Sequence, residues 1–364
     1  MNQKIPNHEI QIRVITWFKK NKRSLPWRRN RTWYNIWISE VMLQQTQVEQ
    51  VIPYYHKFIE KFKTVKQLAR SSEEEVLKLW EGMGYYTRAR NLFKTAKILV
   101  DQYDAKLPSQ KEELLKLPGF GPYITHAILS LAYDLPYGVV DGNIKRVVSR
   151  LFALPDDIRA STTHSKIQKL MDRLLPAKSP GEFNEAMMEL GAVVCNSHSP
   201  LCCKCPISDF CLANKRQIQN YLPFKTAKAK IPVIKFTALI IKYEQKFLAV
   251  KRPIGEMLAG MWEFPMVKMV NGETVDSYNA VYLNKHFNLQ AHPYESYPEI
   301  IHSYTHFQLK LYSKLFFSLT SEFNSDFYKE YRWITLAGLK KLPLHRAMWK
   351  VLDVVESNLK IISK

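Results

Sequence analysis

The stretch Leu114-Leu115-Lys116-Leu117-Pro118-Gly119-Phe120-Gly121-Pro122-Tyr123 closes one helix and opens another across a tight Gly-Phe-Gly turn. Pro122 fits the first turn of the second helix, where its missing N–H costs nothing. Gly119 and Gly121 let the backbone approach a partner closely, and the N–H groups at the new helix start point outward. Such a turn is either a plain joint between helices or a cradle for a DNA phosphate. The second helix is predicted over 123–133, and Asp141-Gly142-Asn143 follows Val139 and Val140. On its own, Asp141 reads as the N-cap of a helix over 144–152.

Downstream, all five cysteines fall within 195–211, and Cys195, Cys202, Cys205 and Cys211 are spaced C-x6-C-x2-C-x5-C. Four soft thiolates in a compact loop suit a structural zinc or a [4Fe–4S] cluster. The regular spacing favours Cys202 over its neighbour Cys203 as the ligand. A disulfide pair or idle buried thiols is the weaker reading, because nothing else in the chain looks secreted.

With 364 residues, 46% of them hydrophobic, the chain is long enough for two domains with separate cores. The opening MNQKIPNHEI lacks an apolar h-region, and no run approaches the ~18 apolar residues of a membrane span. The expectation is a soluble cytoplasmic protein. A net charge of +20, from 53 basic against 33 acidic residues, favours a polyanionic partner, since Lys and Arg on phosphates release counterions.

From about 10 to 213 the chain reads as short helices. Apolar spacing runs through Ile38, Val41, Met42, Gln45, Val48 and Ile52, and again through Leu68, Val76, Leu77 and Trp80. The basic, Pro-flanked stretch 216–232, with Lys225, Lys228 and Lys230, reads as an exposed linker. Beyond it, 236–241 and 247–250 bracket a polar turn, and 309–317 is another apolar run, which predicts a mixed α/β second domain.

Together the hairpin, the aspartate about twenty residues on and the four-cysteine loop resemble the helix–hairpin–helix DNA glycosylase superfamily in its [4Fe–4S] branch. Within that branch the chain is similar to the MutY family of adenine glycosylases. The resemblance is carried by LPWRRNRTWYNIWISEVMLQQTQVEQVIPYY (25–55), WEGMGYYTRARNL (80–92), LPGFGPYITHAILSLAY (117–133), VVDGNIKRVVSRLF (139–152), FNEAMMELGAVVC (183–195) and KRPIGEMLAGMWEFP (251–265). It implies a mainly α helix–hairpin–helix domain over 1–215 with the cluster loop at 195–211. The linker 216–232 and an α/β Nudix-like domain over 233–364 that reads 8-oxoguanine would follow.

The resemblance further implies a monomer that acts on double-stranded DNA holding adenine opposite 8-oxoguanine or G, associated with the nucleoid. Breaking an N-glycosidic bond through an oxocarbenium-like state calls for two carboxyl groups in different protonation states. Glu40 matches the family's general acid at N7 of adenine, and Asp141 the carboxylate that stays ionised beside C1′. Asn143 and Tyr123 match residues that orient this pair. Arg23, Arg28 and Glu185 match the surroundings of the adenine pocket, with ion pairing in the fold as the alternative. Because adenine must be flipped out of the stack, Gln45 matches the side chain that wedges into the duplex. Tyr85 matches one that intercalates beside 8-oxoguanine, with core packing as its alternative.

At position 123 the bifunctional endonuclease III family carries a lysine that forms a Schiff base and cleaves the strand. Tyrosine here implies a monofunctional enzyme. The Nudix-like part has Val281-Tyr282-Leu283-Asn284-Lys285-His286 where a Mg²⁺-binding, Glu-rich helix belongs, so it implies a reader and not a hydrolase. Where the family's lesion loop commonly reads Phe-Ser-His, this chain has Tyr304, Thr305 and His306, which read alone as the middle of a half-buried strand. A non-catalytic DNA-binding relative, a bifunctional lyase and a zinc-stapled helical protein are the rival readings. The presence of both Glu40 and Asp141 argues against the first, and Tyr123 against the second.

Overall fold

The computed structural model describes residues 6–226, 231–270 and 272–362. By spatial contact the chain divides into two units, Met1–Ala69 with Lys94–Lys228, and Arg70–Phe93 with Ala229–Lys364. The helices are, in order, α1 (Asn7–Asn21), α2 (Pro26–Arg29), α3 (Trp33–Leu43), α4 (Val48–Lys61), α5 (Val65–Arg70), α6 (Glu73–Trp80) and α7 (Thr87–Gln102). They continue with α8 (Lys111–Lys116), α9 (Pro122–Leu131), α10 (Gly142–Leu151), α11 (Ser161–Leu174), α12 (Pro180–Val193) and α13 (Leu212–Lys215).

In the first unit the decisive element is α3. Its N-cap Thr32 accepts from the Asn35 N–H, and every residue from Tyr34 to Met42 is buried. A helix buried on all sides has to lie inside a helical core. The hairpin between α8 and α9 docks on it through Phe120, which is 4% exposed and packs tilted against the Trp37 ring with centroids 5.9 Å apart. The apolar spacing across 38–52 is not one helix. The chain breaks after Leu43, Gln45 takes a φ of 59°, and α4 starts at Val48. A non-glycine residue in the left-handed region is uncommon enough to draw attention to the site. A similar break separates Leu68 from Val76, where Ser72 and Glu75 form a capping box.

The stretch expected as an exposed linker is held to the first unit as far as Thr226. Arg150 Nε donates to Leu222 O at 2.9 Å, Ile158 N to Phe224 O at 3.1 Å, and Thr226 Oγ1 to Asp157 at 2.7 Å. Its apolar residues were too few for a sequence reading to see this anchoring, which is mostly backbone. Lys228 and Lys230 lie outside the described residues.

The second unit is built on strands β1 (Val233–Tyr243), β2 (Lys246–Lys251), β3 (Trp262–Glu263), β4 (Met266–Lys268), β5 (Ala291–Ser303), β6 (Gln308–Ser318) and β7 (Tyr331–Ile334), with α14 (Ala280–Phe287), α15 (Leu336–Leu339) and α16 (Arg346–Ile362). The order is β3-β2-β1-β6-β5, with β4 on β1 and β7 on β2, and β1 and β6 run parallel. One face packs Ile240, Leu311 and Leu315 against Met348, Val351 and Leu352 of α16, and the other packs Leu239, Ile241 and Phe316 against Leu283 and Phe287 of α14. This is the mixed α/β domain expected. The short helix α6 belongs to it because its polar face is consumed there. Glu74 accepts from Trp262 Nε1 at 2.9 Å, Lys78 donates to Lys340 O at 2.7 Å, and Glu81 accepts from Leu344 N at 3.0 Å. The sequence reading placed these residues with the N-terminal domain.

Candidate active site

Burial of all of α3 forces a partner on its one carboxylate. Glu40 is 4% exposed, and Tyr123, in the first turn of α9, donates its hydroxyl to Glu40 Oε2 at 2.7 Å. Burial pushes the Glu40 carboxyl up to about 7, opposed by the Tyr123 hydrogen bond; Asp141 and Glu185 push it further up and Arg28 draws it down. The Tyr123 phenol is driven well up by burial and by the charges of Glu40 and Asp141.

Asp141 reaches the same place from the N-terminus of α10. Its side chain caps that helix, Oδ1 accepting from Ile144 N at 2.7 Å, while Oδ2 accepts from Asn143 Nδ2 at 3.0 Å. Burial raises its carboxyl, and the Ile144 N–H, Asn143 and Arg146 oppose the rise. Backbone N–H donors, an amide and a guanidinium all favour the ionised form. Burial raises both carboxyls, but the rise at Asp141 is opposed by backbone N–H groups, an amide and a guanidinium, whereas that at Glu40 is opposed by the Tyr123 hydroxyl and Arg28.

Arg23, Arg28 and Glu185 join this site through a partner the sequence reading missed. Glu189 on α12, 1% exposed, accepts from Arg23 N at 2.9 Å, Arg23 Nε at 2.8 Å, Arg23 Nη2 at 3.1 Å and Arg28 Nη2 at 3.0 Å. Although burial opposes it, the two arginines hold the Glu189 carboxyl down at about 2. Glu185, one turn earlier, pairs with Arg31 and lies 3.6 Å from Arg28 Nε. The available signal was two acids at i and i+4 on one helix, against the arginine-rich 23–31.

The remaining expected residues fall at exposed turns. Gly119 takes a φ of 83°, whereas Gly121 is extended and caps α9, and a Cβ built on it meets nothing within 4 Å. Gln45 is exposed in its left-handed turn. In the second unit Tyr85 is also left-handed, at φ 50°, and 41% exposed, with its hydroxyl 2.9 Å from Thr305 Oγ1. Tyr304, Thr305 and His306 are not mid-strand. They form the turn between β5 and β6, closed by Tyr304 N donating to Phe307 O at 2.9 Å, with Thr305 and His306 exposed. The alternation that suggested a strand belongs to the β segments on either side.

The cysteine loop follows α12. Cys195, Cys202, Cys205 and Cys211 are partly buried and Cys203 is exposed. Cys202, Cys205 and Cys211 each lie near enough to Cys195 to interact electrostatically. Buried Arg150 donates to Cys195 Sγ at 3.3 Å, and to Asn196 O and Ser197 O at 2.6 and 3.0 Å. Among the described residues no group of three or more His, Cys, Asp or Glu stands close enough to hold a single metal ion.

Residues 38–176 match the profile of the HhH-GPD superfamily base excision DNA repair protein, and 236–354 that of the NUDIX domain. The chain is 33% identical over 350 residues to the adenine DNA glycosylase of Buchnera aphidicola subsp. Acyrthosiphon pisum, covering 95% of this chain and 97% of that one. It is 33% identical to the adenine DNA glycosylase of Rattus norvegicus over 95% of this chain and 77% of that one. The chain belongs to the adenine DNA glycosylase family. Among solved structures, a thermostable thymine-DNA glycosylase is similar with a TM-score of 0.53 and 27% identity, over 58% of this chain and 97% of that one. Family membership makes the chain a base-excision repair enzyme, a hydrolase of N-glycosyl bonds. No helix among the described residues is long and apolar enough to cross a membrane.

Proposed function

We propose that this glycosylase removes adenine from duplex DNA where it stands opposite 8-oxoguanine or G, and leaves an intact abasic site. The observation that carries the reading is the pair Glu40 and Asp141, near enough to act on one another's charge, the first held by Tyr123 and the second by Asn143. Glu40, held near neutrality, donates its proton to N7 of the flipped base as the glycosidic bond breaks. Asp141, whose carboxylate accepts from Ile144 N and Asn143 Nδ2, stabilises the cation at C1′ in its ionised form, and a water completes the hydrolysis. Tyr123 holds Glu40 and has no amine, so no Schiff base forms.

Arg23, Arg28 and Glu185 surround the base. Gln45 fills the gap it leaves, and the Gly119 and Gly121 turn takes a backbone phosphate, where the open space above Gly121 admits it. Tyr85 and Thr305, joined by their hydroxyls, read the opposite base together with Tyr304 and His306. Cys195, Cys202, Cys205 and Cys211 would hold a [4Fe–4S] cluster. The support is the donor set itself, sulfur alone from four neighbouring cysteines with exposed Cys203 left out, and the buried cation of Arg150 to offset the thiolate charge. When bound, the cluster would brace the end of the domain. The enzyme is read as a monomer in the cytoplasm, on nucleoid DNA.

The test offers duplexes with A opposite 8-oxoguanine, G, C and T to the wild type and to Asp141→Asn, with and without alkali. Alkali-dependent strand cleavage opposite 8-oxoguanine and G, lost in the variant, is expected. Unchanged activity in Asp141→Asn would sink the catalytic assignment, and a stoichiometric borohydride-trapped complex would sink the monofunctional one. An iron assay and a broad absorbance near ~400 nm would separate the cluster from zinc.

A further inference from the structure

We propose that Glu189 is a positioning residue of the base pocket, a clamp that holds Arg28 in place beside Glu40 and so governs how readily Glu40 hands its proton to the leaving base. The inference rests on the reading of Glu40 as the general acid.

Three observations carry it. First, Glu189 is almost fully enclosed yet spends both carboxylate oxygens on the two arginines, four hydrogen bonds in all, with none going to its own helix. Second, Arg28 is fixed by opposite ends. Its Nη2 donates to Glu189 and its Nη1 to Arg23 O at 3.1 Å, so the guanidinium plane has one orientation. Third, that orientation leaves Arg28 Nε buried with no hydrogen-bond acceptor, 3.6 Å from Glu185 Oε1. A buried donor without an acceptor costs on the order of 1–3 kcal/mol, and the ring nitrogen of a flipped purine is an acceptor of the right kind to relieve it.

The electrostatics run in the same direction. The charged and titratable groups that face Glu40 are Tyr123 from α9, Asp141 at the start of α10, Glu185 on α12 and Arg28 on α2. Arg28 is the only cation in that set, and Glu189 is the carboxylate that balances it. With Glu189 neutralised, Arg28 acts on Glu40 with its full charge and favours the ionised acid, so Glu40 loses its proton at lower pH. A staple that merely joined α2 to α12 would lower stability and leave that proton where it is.

The experiment measures single-turnover excision of A opposite 8-oxoguanine as a function of pH, with active enzyme counted by titration, for the wild type, Glu189→Gln, Glu189→Asp and Glu40→Gln. For Glu189→Gln the expected result is a rate lower by about tenfold to hundredfold, and an alkaline limb displaced to lower pH by about one unit. Glu189→Asp keeps the charge on a shorter stem, so its rate falls while its alkaline limb stays near that of the wild type. A folded Glu189→Gln with a wild-type rate, or with a lowered melting temperature and an unmoved limb, overturns the proposal. If Glu189→Gln does not fold, Glu189→Asp decides, since a wild-type rate there refutes the clamp. Activity retained in Glu40→Gln would instead remove the general-acid reading, an outcome distinct from any result at Glu189.

Discussion

Glu40 shows what a buried carboxyl costs the fold. Its ordinary value of 4.5 is raised to about 7 chiefly by burial in α3. The sign of the linkage follows. A group whose folded value is raised supports the folded state fully below its unfolded value, and that support is lost as pH rises from about 4.5 through about 7. Glu40→Gln keeps the shape and the hydrogen-bonding oxygen for Tyr123 and removes the titration. Relative to the wild type, the variant is therefore expected to gain stability between acid and mildly alkaline pH, on the order of 3 kcal/mol, while losing excision. Paired urea melts at both ends of that range check it, and an equal difference at the two pH values would contradict it. Glu189 behaves oppositely. Its carboxyl is held at about 2, so the stability it contributes is present above about 4.5 and lost only as pH falls toward 2.

At the scale of elements, α10 and α12 set the contacts that oppose the burial-driven rise of the Asp141 carboxyl. Arg146 on α10 donates to Asn143 Oδ1 at 2.8 Å, Gly191 O at 2.8 Å and Cys195 O at 2.7 Å, so one side chain ties the aspartate's partner to the start of the cysteine loop. Arg146→Gln removes a charge that lowers Asp141. The acid limb of the excision profile is expected to move to higher pH with a rate loss of about tenfold or more, and an unmoved limb would separate Arg146 from the aspartate. At Gly191 the two helices approach closely, since a Cβ there would stand 2.6 Å from Asn143 Cβ and 3.2 Å from its backbone. Alanine would gain about 1 kcal/mol of helix propensity, but overpacking against backbone costs about 1–3 kcal/mol. Gly191→Ala is therefore expected to melt lower and to excise more slowly, and a variant that melts as high as the wild type would show that the helices can part. Local chemistry made much of this legible in advance. Pro122 after Gly121 announced α9, and Asp141 before Gly142 announced the cap. What stayed hidden was pairing over distance, as in Glu189 with Arg23, because single-sequence periodicity says which face of α12 is buried but not which cation waits there. Turns hid for a related reason, since the apolar spacing around Gln45 carries no mark of the left-handed residue that interrupts it.

For the whole molecule the decisive quantity is charge. The excess of 53 basic over 33 acidic residues is far more than folding requires, and like charges repel within a compact chain. Much of the acidic complement is already committed. Glu189 and Glu185 are paired with arginines, and Glu74 and Glu81 are engaged within the second unit. The surplus cations are thus left for an external polyanion, and each one that meets a phosphate releases counterions, making log K fall with log salt by about 0.9 per contact. Affinity for an uncleavable duplex should therefore drop by about a thousandfold or more between roughly 50 and 200 mM salt if six or more phosphates are engaged. Replacing Lys116, beside the hairpin, with Gln should reduce the slope by about one unit if that lysine meets a phosphate, without altering preference for the base opposite adenine, because a phosphate contact carries no sequence information. Fluorescence anisotropy titrations at several salt concentrations measure both, and a flat response would mean that the basic surplus serves something other than DNA.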